Sequence, residues 1–186
     1  NPGNATAHNE RGSAYVANGR HDRAIADFDQ AIKLNPSYDV AHNNRGMAHR
    51  LKGDTDRALA DFDRALKINP SFPMAFHNRG LALHDRGDYD RAIQDLSQAL
   101  KLDANNTLAL NDRAIAYGAK GDNDRAIKDF DQVLRIETKN AVAFNNRGIA
   151  HRNKGSYDRA IADFDQAIKL NSSYAAAIYN RGTAFH

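Results

Sequence analysis

The thirteen residues from Arg23 to Asn35, RAIADFDQAIKLN, recur letter for letter from Arg159 to Asn171. The offset, 159 − 23 = 136, is four times 34. Self-similarity at a period of this size marks units that cannot bury their apolar faces alone and must stack on one another. Starting the period at Ala5 gives units 5–38, 39–72, 73–106, 107–140 and 141–174 without an insertion. Residues 1–4 then read as the tail of a preceding unit, because Asn1-Pro2 stands in register with Asn35-Pro36, and 175–186 as the first helix of a sixth, incomplete one. Such an end would expose Ile178, Ala184 and Phe185.

Within a unit, glycine at the fifteenth position (Gly19, Gly53, Gly87, Gly121, Gly155) separates two helix-length segments. Glycine tolerates the left-handed conformation in which helices commonly end. Three residues later comes Asp22, Asp56, Asp90, Asp124 or Asp158, expected to accept from the free N–H groups of the second helix and to suit its positive end. That helix closes on Lys33, Lys67, Lys101, Arg135 or Lys169, followed by Asn-Pro in the first two units. Each unit therefore reads as helix A, tight turn, helix B.

This pattern resembles the tetratricopeptide repeat, with small residues at the eighth and twentieth positions, an aromatic at the twenty-fourth and proline at the thirty-second. Gly12, Ala24, Phe28, Ala31 and Pro36 carry it in the first unit, and Gly46, Ala58, Phe62, Ala65 and Pro70 in the second. The fourth position, often Trp in the family, is His8, His42, Phe76, Leu110, Phe144 and Ile178; the proline becomes Ala104, Thr138 and Ser172; the seventh position, usually Leu, is Arg in every copy. The resemblance spans essentially the whole chain. It implies an all-α fold, an α-solenoid wound as a right-handed superhelix with the A helices lining a concave groove.

At about 100° per residue, positions four, seven, eight and eleven of helix A share one face, which must meet helix B. Glycine at position eight costs about 1 kcal/mol of helix propensity relative to Ala, so its recurrence indicates a close helix crossing. Positions three and ten are Ala in all six copies, marking a second tight contact, most simply with the A helix of the neighbouring unit. What remains is a free face: Val40, Asn43, Asn44, Met47 and Arg50; Met74, His77, Asn78, Leu81 and His84; Leu108, Asn111, Asp112 and Ile115; Val142, Asn145, Asn146, Ile149 and Arg152; and Asn180 in the last copy. Amides that both donate and accept, set among aliphatics, suit the main chain and side chains of an extended peptide. Asn44, Asn78, Asn146 and Asn180 recur at position six. In some superhelices of the resembled family asparagines there grip a peptide main chain; a solvated polar face, or amides bridging adjacent units, would place Asn there equally well. The family's clamp for a terminal carboxylate is not indicated, because Met74 and Asn78 stand where it would need basic residues.

Arginine at position seven (Arg11, Arg45, Arg79, Arg113, Arg147, Arg181) borders the packing face and needs a carboxylate. Asp27, Asp61, Asp95, Asp129 and Asp163, beside the apolar stripe of helix B, are the expected partners; the alternative is an arginine row that reads phosphates or carboxylates. The other abundant aspartates, at positions eighteen and twenty-five, read as caps and outer-face charges. Asp54-x-Asp56, Asp88-x-Asp90 and Asp122-x-Asp124 start like a calcium loop but run into a helix without its remaining ligands. The histidines show no zinc-protease spacing; His42 and His49 fall on the packing stripe, whereas His77 and His84 face the groove and could make binding pH-sensitive.

No nucleophile elbow, phosphate loop or dinucleotide fingerprint appears, so neither a catalytic site nor a cofactor is expected. With 0 Cys there is no disulfide or thiolate metal site, and no signal segment or membrane-crossing span is present. A net charge of +3 does not call for a polyanion. Arg50, Lys52, Arg86, Lys120, Arg152 and Lys154 could form a basic rim, but without a row of stacking aromatics nucleic acid is not the expected ligand; such a rim would favour acidic peptides. The expectation is a non-enzymatic protein-binding scaffold that takes an extended segment of a partner. The alternatives are a homo-oligomer assembled through exposed ends, or the substrate-recruiting arm of a larger enzyme.

Overall fold

The computed structural model describes residues 3–184, and their regular structure is helical throughout. The helices are α1 (Ala5–Ala17), α2 (His21–Leu34), α3 (Asp39–Leu51), α4 (Thr55–Ile68), α5 (Pro73–Asp85), α6 (Tyr89–Leu102), α7 (Thr107–Ala119), α8 (Asn123–Ile136), α9 (Ala141–Asn153), α10 (Tyr157–Leu170) and α11 (Ala175–Thr183). Odd numbers are A helices and even numbers B helices. Asn1, Pro2, Phe185 and His186, assigned above to the tail and to the last helix, lie outside the described residues.

The A-to-B turn is built as its glycine requires. Gly53 has φ of +82°, its N–H donates to Arg50 O at 2.9 Å, and the N–H of Asp54 reaches back to His49 O at 2.9 Å, closing the orphan carbonyls of α3. Nothing would touch a Cβ at this glycine, so only the backbone angle calls for it. The caps differ from expectation by two residues. Asp54 and Asp122, at position sixteen, accept from the N–H groups of Arg57 and Arg125, whereas the aspartates at position eighteen already lie inside the first helical turn. An Ncap side chain must precede the helix to reach its free donors, so the earlier aspartate takes that role.

Glycine at position eight marks a close crossing. A Cβ on Gly46 would fall 2.7 Å from the Phe62 ring, and one on Gly80 would fall 2.8 Å from Leu96 Cγ. Contacts divide the chain into two compact units, one up to Leu102 and one from Asp103. In the first, α3 stacks on α2 and α5 on α4; in the second, α9 stacks on α8 and α11 on α10. The alanine rows make these joints, but against a different helix from the one expected. Ala48 packs with Ala24 and Phe28, Ala82 with Ala58 and Phe62, Ala75 with Ala65, and Ala184 with Ala160 and Phe164. Within each unit the small residues thus let an A helix sink onto the B helix of the preceding repeat, and A-to-A contact is minor. Ala184 is accordingly buried rather than exposed, while Ile178 is 44% exposed.

Candidate interaction surface

The free face of the A helices carries a buried line of amides. In the first unit Asn78 Nδ2 donates to Asn43 Oδ1 at 3.0 Å, Asn43 Nδ2 to Asn44 Oδ1 at 3.2 Å, and Asn44 Nδ2 to Asn9 Oδ1 at 3.0 Å. The second unit repeats it: Asn180 donates to Asn145 at 3.0 Å, Asn145 to Asn146 at 3.2 Å, Asn146 to Asn111 at 3.5 Å, and Asn111 to Asp112 at 3.3 Å. Asn43, Asn78 and Asn145 are only 2–4% exposed. Their amides therefore bridge adjacent repeats and satisfy one another, the arrangement that keeps a buried amide from being stranded. Asn9, absent from the expected site, ends the first line; its signal was an amide at position five lying 35 residues before its partner.

Around this line sits an apolar surface. Met47, Leu81 and Ile149 are half-buried and Ile115 is exposed, while at position two Met74, Leu108 and Val142 are 57%, 68% and 49% exposed. The polar members of the expected site are engaged inside the chain: Arg50 Nε donates to Asp85 at 2.7 Å and Arg152 to Thr183 Oγ1 at 2.8 Å. His77 and His84 are half-buried, and the His84 ring lies 5.2 Å from that of Tyr89. The rim is neutralised in the same manner, with Lys52 on Asp22, Lys154 on Asp124 and Arg86 within 3.9 Å of Asp56. Each of these cations meets an aspartate of the preceding repeat, which leaves no continuous basic stripe along them.

The position-seven arginines are two-sided links. Arg45 Nε and Nη2 hold Asp61 at 2.9 and 2.6 Å, while Nη1 holds Asp29 of the preceding repeat at 2.6 Å. Arg79 and Arg147 do the same, with Asp95 and Asp63 and with Asp163 and Asp131. Arg11 and Arg113 make the bidentate pair with Asp27 and Asp129. The aspartates at position twenty-five, read above as outer-face charges, are thus inter-repeat partners. These hydrogen bonds raise the Arg45, Arg79 and Arg147 pKa values and keep the guanidiniums charged. Arg11 draws the Asp27 carboxyl below its usual range; at Asp61, burial works the other way and is outweighed by His42 and Arg45.

No helix among the described residues is long and apolar enough to cross a membrane, and no group of three or more of their His, Asp and Glu side chains could hold a metal ion. In each unit the links leave a face of aliphatic side chains over an internally satisfied polar layer.

Known proteins place this architecture. Family models described as tetratricopeptide repeat match residues 1–39 and 9–73, 62–94, 108–140 and 141–174, and one described as TPR repeat matches 80–121. Among solved structures, the chain is similar to YrrB, described as a TPR protein with an unusual peptide-binding site: TM-score 0.80, 23% identity, covering 98% of this chain and 94% of that one. It is also similar to pilF of Pseudomonas aeruginosa (TM-score 0.84, 16% identity, 97% and 86% covered) and to TTC0263, a thermophilic TPR protein of Thermus thermophilus (0.74, 19%, 97% and 98%). No curated protein matches the chain. At these identities the structures speak for the fold, an all-α helical-repeat solenoid, and the family models speak for the lineage. By its repeat length, its paired helices and models that together run from residue 1 to 174, the chain belongs to the tetratricopeptide repeat family, whose members serve generally as protein-interaction scaffolds.

Proposed function

We propose that the chain is a non-catalytic scaffold that holds an extended segment of a partner protein against the free face of its A helices. The observation that carries this reading is the aliphatic side chains left in solvent at positions two and nine, above all Met74, Leu108, Ile115 and Val142. Exposed apolar surface of this kind gains free energy when covered, about 25 cal/mol per Å². YrrB, similar in fold, is described as a peptide-binding TPR protein, which supports the same reading for this chain. Because the asparagines at positions five and six bond to each other, the ligand is read through apolar side chains seated between Met47 and Leu81 or between Ile115 and Ile149. The amides serve as the floor of the groove rather than as fingers on the peptide main chain.

The test starts from peptides selected for binding to the chain from a random library. Ile115→Ser with Ile149→Ser should weaken the selected peptides about tenfold or more by calorimetry, since each apolar side chain contributes roughly 1–3 kcal/mol. Helicity should be retained and melting should fall only modestly, because Ile115 is exposed while Ile149, half-buried, packs against the cluster of Ala160, Phe164 and Ala184. Unchanged affinity would remove the groove as the binding surface.

A further inference from the structure

We propose that the cavity between α2, α3 and α4, and the equivalent place between α8, α9 and α10, bind a phenolic ring, whose hydroxyl meets the imidazole at position eleven and whose face lies against the arginine at position nineteen. The first cavity measures about 360 Å³, within the range of small-ligand sites. Ile25 and Ala60 line it with apolar surface, Arg57 stands exposed at its edge, and His49, only 8% exposed, lies at its base. None of these residues belongs to the A-helix groove, so either site can fail without the other.

Position eleven decides how this space is filled. In the third repeat it is Leu83, 1% exposed, which closes on Leu59 and Phe62 of the preceding B helix. In the fourth it is Tyr117, 8% exposed, with the Arg125 guanidinium over its ring at 4.5 Å from the centroid. Arg23 lies over Tyr15 in the same way, at 6.0 Å. An imidazole is shorter than a phenol. With His49 and His151 at position eleven, Arg57 and Arg159 have no phenol beneath them, and Ile25 stays half-buried where its counterpart Leu59 is buried. The chain itself thus shows which group its position-nineteen arginines cover, and the face of an aromatic ring attracts a guanidinium.

The imidazole supplies the polar half of the match. His49 and His151 are 8% and 9% exposed, yet their ring nitrogens have no hydrogen-bond partner among the described residues. Groups buried to this degree are ordinarily satisfied. Desolvation lowers both imidazole pKa values and keeps the rings neutral near pH 7, so each offers a bare nitrogen to an O–H donor. The two places are built alike. Three repeats on from the first cavity stand Ile127, Arg147, His151, Arg159 and Ala162, and Arg147 is held by Asp131 and Asp163 as Arg45 is by Asp29 and Asp61.

The probe is p-cresol, titrated into the full chain and followed through the NMR methyl signals of Ile25 and Ile127. Ring-current shifts at both should saturate with Kd on the order of 1–10 mM. Toluene, the same ring without the hydroxyl, should bind about three- to tenfold more weakly, the worth of one hydrogen bond. His49→Leu, which puts at position eleven the residue of the third repeat, should abolish the shifts at Ile25 and leave those at Ile127, so that the second place reports an intact fold. Arg57→Gln should weaken the Ile25 site about two- to fivefold. N-acetyl-tyrosinamide separates the sources of the phenol: binding at least as tight as that of p-cresol supports a tyrosine side chain as the ligand, and weaker binding supports a free phenol. The proposal is overturned if neither methyl shifts saturably up to about 20 mM p-cresol. It is equally overturned if toluene binds as tightly as p-cresol, or if the Ile25 shifts survive His49→Leu.

Discussion

Position seven concentrates the strongest polar interactions of the repeat in one side chain. Arg45 reaches sixteen residues forward to Asp61 and sixteen back to Asp29, and so ties helix B of its own repeat and helix B of the one before. Beside these pairs lie His49 and His151, buried at position eleven, where desolvation lowers the imidazole pKa below the ordinary 6.5. Below pH 6.5 the unfolded chain then binds more protons than the folded one, so stability falls as the pH drops from there toward the folded values. Asp27 and Asp61, held below 3.8 in the fold, behave differently: their contribution is complete above 3.8 and disappears as the pH falls through the folded values. Acid unfolding should therefore run in two stages. Thermal melts from pH 8 to pH 3 should show a shallow loss of stability beginning near 6.5 and a steeper one below 3.8. Leucine already fills position eleven at Leu83, buried to 1% exposure, so the double change His49→Leu, His151→Leu is sterically reasonable. It should flatten the first stage and leave the second. An unaltered slope between pH 7 and 5 would show that these imidazoles are not the groups responsible.

At the scale of the helix, two polar ladders cross the joints between repeats, the asparagines from A helix to A helix and the arginines from A helix to B helix, and the sequence shows one side of each. An angular count puts Arg79 beside Asp95, because both lie on faces of one helix pair connected by a single tight turn. It does not pair Arg79 with Asp63, since period and face say nothing about which atoms meet across a repeat boundary. The asparagines follow the same division. Their place on the free face is readable, but whether Asn43 and Asn78 look outward or toward each other depends on the distance between stacked helices, which no local pattern encodes. The alanines show the limit from another direction: an invariant small residue announces a close neighbour without naming it, and helix B of the preceding repeat is the neighbour. The amide line makes a specific demand. Asn43→Ala removes the acceptor for Asn78 Nδ2, a group on a residue 2% exposed, and the donor to Asn44. A stranded buried donor costs about 1–3 kcal/mol, so urea unfolding should show a loss of that size, and Asn145→Ala, which interrupts the equivalent line at Asn180 and Asn146, should cost less because Asn180 is only half-buried. A loss near zero in both would mean that water or peptide, rather than the neighbouring amide, satisfies these groups.

Across the whole chain, stability should behave as a sum of repeats and of the joints between neighbours, which makes the effect of one substitution depend on where in the array it falls. Position ten offers a controlled comparison, because the residue is the same and only the neighbour differs. Ala48 is fully buried against Ala24 and Phe28, so Ala48→Leu drives three extra carbons into the joint between α2 and α3. Overpacking of this kind costs about 1–3 kcal/mol. Ala14 occupies the same position on α1 but is exposed, so Ala14→Leu should stay within about 0.5 kcal/mol of the parent. The two variants should also differ in cooperativity. Wedging the α2–α3 joint lets α1 and α2 unfold ahead of the helices that follow, so a two-state fit to the urea transition of Ala48→Leu should return a smaller slope than the parent, and hydrogen exchange should quicken first in α1 and α2. Ala14→Leu should keep both the midpoint and the slope. Equal costs at the two alanines would show that position ten is sensed through its own helix and not through the repeat stacked against it.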